Sequence, residues 1–345
     1  MTTFVQLHLL TAYPPANLNR DDTGRPKTAQ FGNVPRLRIS SQALKRAWRT
    51  SEAFRAALEG HLGARTQRLG KLVLDHLQEQ GVEAARALEV ARSVAEIFGK
   101  PKGEKDKQPA YIEQLAFVSP QEREAAMALA ERLAAGEEIA AKEAGVLQAV
   151  DSAVDIAMFG RMLAADPTYN REAAVQVAHA ISTHRVVVEE DYYTAVDDLK
   201  RPAEDAGAGF VGEAGFGAGL FYLYLCIDRD LLVRNLGGDE ALARRGIEAL
   251  ISGAATVGPS GKQASFASRA YAHYLLAERG EAAPRTLAAA FIKPVAGDDI
   301  LSLSIARLRE TREAFAKAYG ETVMASEMQV GGEGTLVEVA RFAAQ

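Results

Sequence analysis

The sequence predicts an α+β fold with a ferredoxin-like βαββαβ core, the order RRM domains use. Three observations carry that expectation. Strand-like and helix-like segments follow in the order strand, helix, strand, strand, helix, strand once two blocks are set aside. One block, residues 59–183, is dense in alanine and shows helical periodicity. The other, residues 191–219, carries glycines at 207, 209, 212, 215, 217 and 219 and few large apolar side chains. The expected architecture is a discontinuous RRM-like domain of residues 1–58 and 184–345, a helical insert at 59–183 and an arm at 191–219.

Phe4 to Leu10 opens the chain as a central strand: Val5, Leu7 and Leu9 share one face, and Phe4, Gln6, His8 and Leu10 the other. Pro14-Pro15 is expected to end it, and a long polar loop to follow from Ala16 to Arg38. Ser40 or Ser41 caps a helix running to about Leu58. Its packing face holds Leu44, Ala47, Trp48, Ser51, Phe54 and Leu58. Gln42, Lys45, Arg46 and Arg49 fall within about 100° of one another on the other side.

Helices are expected at Ala64–Glu79, Glu83–Phe98, Gln121–Ala135 and Arg171–Ser182, with a charged, mobile loop at Gly99–Pro109. Strands follow at Arg185–Glu189, Leu220–Asp228 and Arg269–Leu276, and helices at Asp239–Gly253 and Leu303–Tyr319. The glycine-rich arm reads as a flexible protrusion that cannot bury itself.

Charge narrows the function. The net charge is −5 over 345 residues, yet residues 20–49 hold eight Lys or Arg against two acids. Residues 1–58 carry nine basic and three acidic side chains, the rest thirty-one and forty-two. A local basic end on an acidic chain suits a polyanion bound at one place, nucleic acid first. Lys45, Arg46 and Arg49 can reach phosphates, and Ser40 and Gln42 can hydrogen-bond beside the helix N-terminus. Arg20 and Lys27 belong to the same basic stretch.

Other classes are poorly served. No apolar run approaches the roughly 20 residues that span a bilayer, and the N-terminus lacks a basic stretch ahead of an apolar one, so a cytoplasmic protein is expected. Cys226 is the only cysteine, which excludes a disulfide framework or a cysteine-based zinc site. VGPSGKQ departs from the Walker pattern, with Thr256 in place of the first glycine and Gln263 after the lysine; Lys262 on that turn suits a single phosphate contact. No HExxH string occurs. Neither a cofactor nor a metal is expected.

Six strings occur in order: LNRDD (Leu18–Asp22), RLRISSQALKRAWR (Arg36–Arg49), VDIAMFGRM (Val154–Met162), AHAISTH (Ala178–His184), DYYTAVDDL (Asp191–Leu199) and VGPSGKQASFA (Val257–Ala267). Together they resemble the CasC-type backbone subunit of the type I-E CRISPR surveillance complex, Cascade. The resemblance implies an RRM-like palm, helical fingers and a β-hairpin thumb. It implies several copies polymerised head to tail on one CRISPR RNA, with other Cascade subunits and the complementary target DNA strand as partners. It places Lys262 at the RNA groove and Arg161 and Met162 in a palm segment near the bases. Tyr192, Tyr193, Thr194 and Val196 match the thumb position that meets the guide–target duplex. The family's backbone subunits are not enzymes. Two alternatives stand beside this reading: an RNA-guided endoribonuclease using Asp21 or Asp22, and a free-standing RRM-like protein.

Overall fold

A computed structural model describes residues 2–140, 145–163, 165–195 and 210–345. These form two compact units, one of residues 1–54, 177–226 and 247–345, the other of residues 55–176 and 227–246.

The first unit is built on a large sheet. Its strands lie in the order Met324–Gln329, Ala272–Gly280, Phe4–Ala16, Phe210–Asp228, Ala180–Ser182, Val34–Ile39, Thr28–Phe31. The first strand runs antiparallel to 272–280, from Phe4 opposite Gly280 to Leu10 opposite Tyr274, with a register shift at Thr11. Val5, Leu7 and Leu9 are fully buried, and so are His8 and Leu10 on the other face, with Gln6 nearly so. A strand buried on both faces is central, as its two apolar faces imply. Leu10, Leu220, Tyr222, Tyr274 and Leu276 pack against Leu287, Phe291, Val295, Ile305 and Leu308, so residues 287–308 roof that face.

Charge is buried under the same roof. The Glu278 carboxylate accepts from Arg285 (2.6 and 3.1 Å), from Arg312 Nε (2.7 Å) and from His8 Nε2 (3.2 Å). His8 Nδ1 accepts from the Tyr222 hydroxyl at 2.9 Å, whose oxygen accepts the Leu287 N–H at 3.0 Å. That chain of donors assigns the neutral His8 tautomer with its proton on Nε2.

The second unit is helical. Helices Leu69–Glu79, Ala84–Glu96 and Pro120–Ala134 share a core that includes Val73, Leu77, Val90, Val94, Leu129 and Leu133. The third helix starts with a capping box between Ser119 and Glu122, with Pro120 in its first turn.

Several elements differ from the sequence expectation. The first strand continues through Pro14-Pro15 to Ala16. Both prolines are exposed and lie beyond Thr11, the last residue paired with 272–280, so that neighbour loses no ladder bond. The loop expected from Ala16 to Arg38 holds a hairpin, Thr28–Phe31 with Val34–Ile39. It turns at Gly32 and Asn33, both at positive φ (63° and 61°), as a two-residue turn with left-handed residues requires. A Cβ on Gly32 would also lie 1.6 Å from the Ile292 carbonyl oxygen.

The helix expected at Arg171–Ser182 is absent. Strands Val175–Val177 and Ala180–Ser182 stand there, and Ile181 and Ser182 pair with Tyr222 and Phe221. Alanine's helix propensity, a few tenths of a kcal/mol per residue, gives way to that sheet pairing. Residues 185–188 form no strand; the next one is Glu189–Ala195. The Gly99–Pro109 loop, expected to be mobile, is tied by Arg92, which donates to the Lys102 and Pro109 carbonyls at 2.8 and 2.5 Å. Strand Met324–Gln329 and helix Leu336–Ala344 were not foreseen. No described helix is long and apolar enough to cross a membrane.

Candidate nucleic-acid interface

The basic helix spans Ser41–Arg49 and is capped by Ser40, whose hydroxyl accepts the Ala43 N–H. The Ser40 N–H donates to Asn19 Oδ1 at 2.9 Å, which ties the helix start to the preceding loop. Leu44 and Trp48 are buried; Gln42 and Arg46 are exposed, and Lys45 and Arg49 are half-buried. Burial holds the Lys45 ammonium below its usual value. The helix stops sooner than expected. Thr50 Oγ1 donates to the Arg46 carbonyl and Ser51 Oγ to the Trp48 carbonyl, both at 2.8 Å, and Ser51 then accepts from Phe54 N–H. A second helix, Glu52–Ala57, begins there.

VGPSGKQ lies against this helix. The Trp48 indole N–H donates to the Val257 carbonyl at 3.2 Å. A Cβ on Gly261 would sit 2.3 Å from the Leu18 carbonyl oxygen, so only glycine lets the turn lie on the Asn17–Leu18 backbone. Lys262 and Ala267 bracket the short helix Gln263–Phe266, and both are left-handed (φ 47° and 48°). Each costs roughly 1–2 kcal/mol, which the surrounding contacts must outweigh.

Two clefts open here. One of about 520 Å³ is lined by Leu18 to Asp22, by Ala43, Arg46 and Thr50 of the helix, and by Pro259 to Gly261. The other, about 660 Å³, shares Ala47, Thr50 and Ser260 with it and continues to Gln263, Arg269 and Tyr271. Among the described residues, the side chains of Arg20, Arg46, Lys262 and Arg269 have no carboxylate partner.

Lys27 is half-buried, its N–H on the Asn19 carbonyl and its carbonyl accepting from Arg38 N–H, both at 2.8 Å. The Arg38 guanidinium donates to His179 Nδ1 at 2.9 Å. Burial, then the charges of Arg38 and Lys27, lower the His179 pKa, which suits a neutral acceptor.

Asp21 spends its carboxylate on its own turn. Oδ1 accepts from the Thr23 hydroxyl (2.8 Å), the Thr23 N–H (2.9 Å) and the Arg25 N–H (3.0 Å). The Thr23 hydrogen bond leads in lowering its pKa. A carboxylate so engaged is a poor general base. Asp22 is exposed and lines the first cleft.

In the arm, Glu189–Ala195 pairs with the start of Phe210–Asp228 and lies wholly exposed. Val196 lies outside the described residues. Tyr192 is 65% exposed and Tyr193 42%. Tyr193 pairs with Gly212, and its ring lies where a Cβ there would be (2.6 Å), 6.1 Å from the Phe210 ring centre. Flexibility was expected of these glycines, yet close packing explains three of them. Pro26 approaches the Cβ position of Gly215, and Leu37 that of Gly217, each at 3.0 Å. Thr194 pairs with Val211.

Arg161 is a correction. It lies in the second unit, fully buried, with Nη1 on both Glu122 oxygens (2.8 and 2.6 Å) and on the Phe117 carbonyl, and Nη2 on the Tyr169 carbonyl. It is spent on protein and cannot also meet a phosphate. Its neighbour Met162 is 87% exposed. Of the residues the sequence singled out, Arg20 and Arg46 line the first cleft; Ser40, Gln42, Lys45 and Arg49 lie on the same helix or its cap, and Lys262 follows the Pro259–Gly261 stretch that lines it. Asn19, Trp48, Arg269 and Tyr271 escaped sequence reasoning; Trp48 looked only like core.

A family model described as CT1975-like protein matches residues 5–343. Among solved structures, the chain is similar to one from a "CRISPR RNA-guided surveillance complex, pre-nicking", with TM-score 0.87 and 29% identity over 97% of this chain and 95% of that one. It also shares its fold with a chain of a "CRISPR RNA-guided surveillance complex", with TM-score 0.62 and 24% identity over 97% of this chain and 92% of the other. No curated protein matches it.

Proposed function

Because the chain belongs to the CT1975-like protein family, we propose that it is an RNA-holding backbone subunit of a CRISPR surveillance complex, as the motifs implied. The observation that carries this reading is the convergence of Arg20, Arg46 and the Pro259–Gly261 turn that leads into Lys262 on one cleft of an acidic protein; among the described residues these three cations have no carboxylate partner. Backbone phosphates suit such a site, because a guide must be interchangeable and base pairing supplies the sequence reading.

The strand order 272–280, 4–16, 210–228, 180–182 matches the order 4-1-3-2 of a βαββαβ core, which supports an RRM-like palm. An RRM stacks bases on its open sheet face. Here both faces of the first strand are buried, so the RNA is held beside the sheet, along the helix and the VGPSGKQ turn. Residues 59–183 serve as fingers and 191–219 as thumb, with Tyr192 the more accessible aromatic ring towards a guide–target duplex. Head-to-tail contacts between copies build a filament on the CRISPR RNA whose ends other subunits cap. The complementary DNA strand pairs with the held guide, and the subunit itself does no chemistry in the cytoplasm. Purification with a co-expressed CRISPR RNA tests this. A discrete RNA in a multi-copy particle, with affinity indifferent to guide sequence and falling steeply with salt, is expected. A monomer free of RNA would refute it.

A further inference from the structure

We infer that the second cleft is a nucleobase subsite, in which one base of the bound strand stacks on Tyr271. The inference rests on the RNA-holding reading and adds a contact of a different kind to it.

Strand alternation turns Ala272 and Tyr274 into the core and leaves Tyr271 and His273 facing outwards. Tyr271 is 67% exposed, so its ring is open to a ligand in the cleft. It lines the cleft of about 660 Å³ together with Thr50, Val257, Gln263, Arg269 and His273. This volume admits a base with its ribose. The lining is chemically mixed: an aromatic face and the Val257 wall for the flat surface of a base, and the Gln263 amide, which both donates and accepts, for its edge. Arg269 offers a guanidinium to the flanking phosphate, and its side chain has no partner among the described residues. His273, on the same lining, takes the Ala12 N–H on Nδ1 at 3.5 Å.

Position supplies the occupant. The cleft shares Ala47, Thr50 and Ser260 with the cation-lined cleft, so a strand whose phosphates follow Arg46 and the 259–262 turn passes the mouth of this one. Every base has a π-face, so such a subsite tolerates any guide.

The full-length protein is titrated with single-stranded RNAs carrying 2-aminopurine at one position at a time. Quenching at a recurring register in the wild type and in Tyr271→Phe, lost in Tyr271→Ala, is expected. Tyr271→Ala should weaken binding at least about fivefold while leaving the slope of log affinity against log salt unchanged, because stacking releases no counterions. RNA that binds with its salt slope intact but is quenched nowhere, or is still quenched in Tyr271→Ala, overturns the subsite and spares the RNA-holding reading. A wild type that binds no RNA at low salt overturns both.

Discussion

The indole N–H of Trp48 and the carbonyl of Val257 meet at 3.2 Å, joining the basic helix to the turn that carries Lys262. Trp48→Phe keeps most of the buried ring and removes this bond. The unpaired carbonyl and the small void should together cost about 2–3 kcal/mol of stability. RNA affinity should fall as well, because the turn loses its anchor. Denaturant titration with an RNA-binding isotherm checks both, and a variant with full stability would show the bond to be idle.

Arg46→Ala with Lys262→Ala should weaken RNA binding alike for all sequences. Two lost phosphate contacts lower the salt slope by roughly 1.4 for single-stranded RNA. A slope equal to that of the wild type would remove these residues from the interface.

Arg161→Met addresses the residue that sequence placed among the RNA contacts. It strands the Glu122 carboxylate, fully buried and, among the described residues, otherwise bonded only to backbone N–H groups. Breaking a buried pair from one side costs about 3–5 kcal/mol. Folded protein recovered at low temperature should bind RNA with an unchanged salt slope. A reduced slope would return Arg161 to the interface.

The assembled complex should leave a complementary RNA uncut, and Asp21→Asn and Asp22→Asn should not alter this. Asp21 is occupied by Thr23 and Arg25. Regularly spaced products from the wild type that vanish in either variant would establish the endoribonuclease alternative.

Stability should decline in two stages on acidification. Burial lowers the His8 pKa and outweighs the opposing pull of Glu278. Below about pH 6.5 the unfolded chain therefore takes up a proton that the folded one refuses, and stability held above that pH is lost. His179 is lowered too and acts with the same sign. Burial alone would raise the Glu278 pKa, but hydrogen bonds from His8, Arg285 and Arg312 hold it far below its usual value. Its contribution is present above the ordinary carboxylate range and drains away as pH falls through and below it. Thermal melts should show a fall from pH 6.5 to 5 and a steeper one below 4.5, the first blunted in His8→Gln. An unchanging melting temperature between pH 7 and 4 would contradict this.

What was legible in the sequence follows from what is local. Ser40 announces its cap because the bond it makes lies three residues away, and Phe4 to Leu10 announces a central strand because alternation needs no partner to be read. Arg161 does not announce Glu122, thirty-nine residues upstream, so a buried pair looks like a free cation. Gly212, Gly215 and Gly217 look like slack until Tyr193, Pro26 and Leu37 are seen beside them. Residues 171–182 carry helix-forming alanines, and only the strand at Phe221–Tyr222 decides against a helix. The clefts are the extreme case, because their walls come from four separate stretches of chain, 18–24, 43–51, 256–273 and Val330.

The pairing of Phe4 with Gly280 has a consequence for biosynthesis. At 5–20 residues per second, the ribosome releases the apolar first strand roughly 14–55 s before the strand that completes its ladder. Throughout that interval the edge of FVQLHLL that awaits 272–280 is an unpaired template on which other nascent chains can add. A chain terminated before Ala272 never acquires that neighbour, and fragments of this kind should accumulate as aggregates. Yield of the full-length protein should accordingly depend on how nascent chains are shielded, rising with slower initiation, lower temperature or added holdase chaperone.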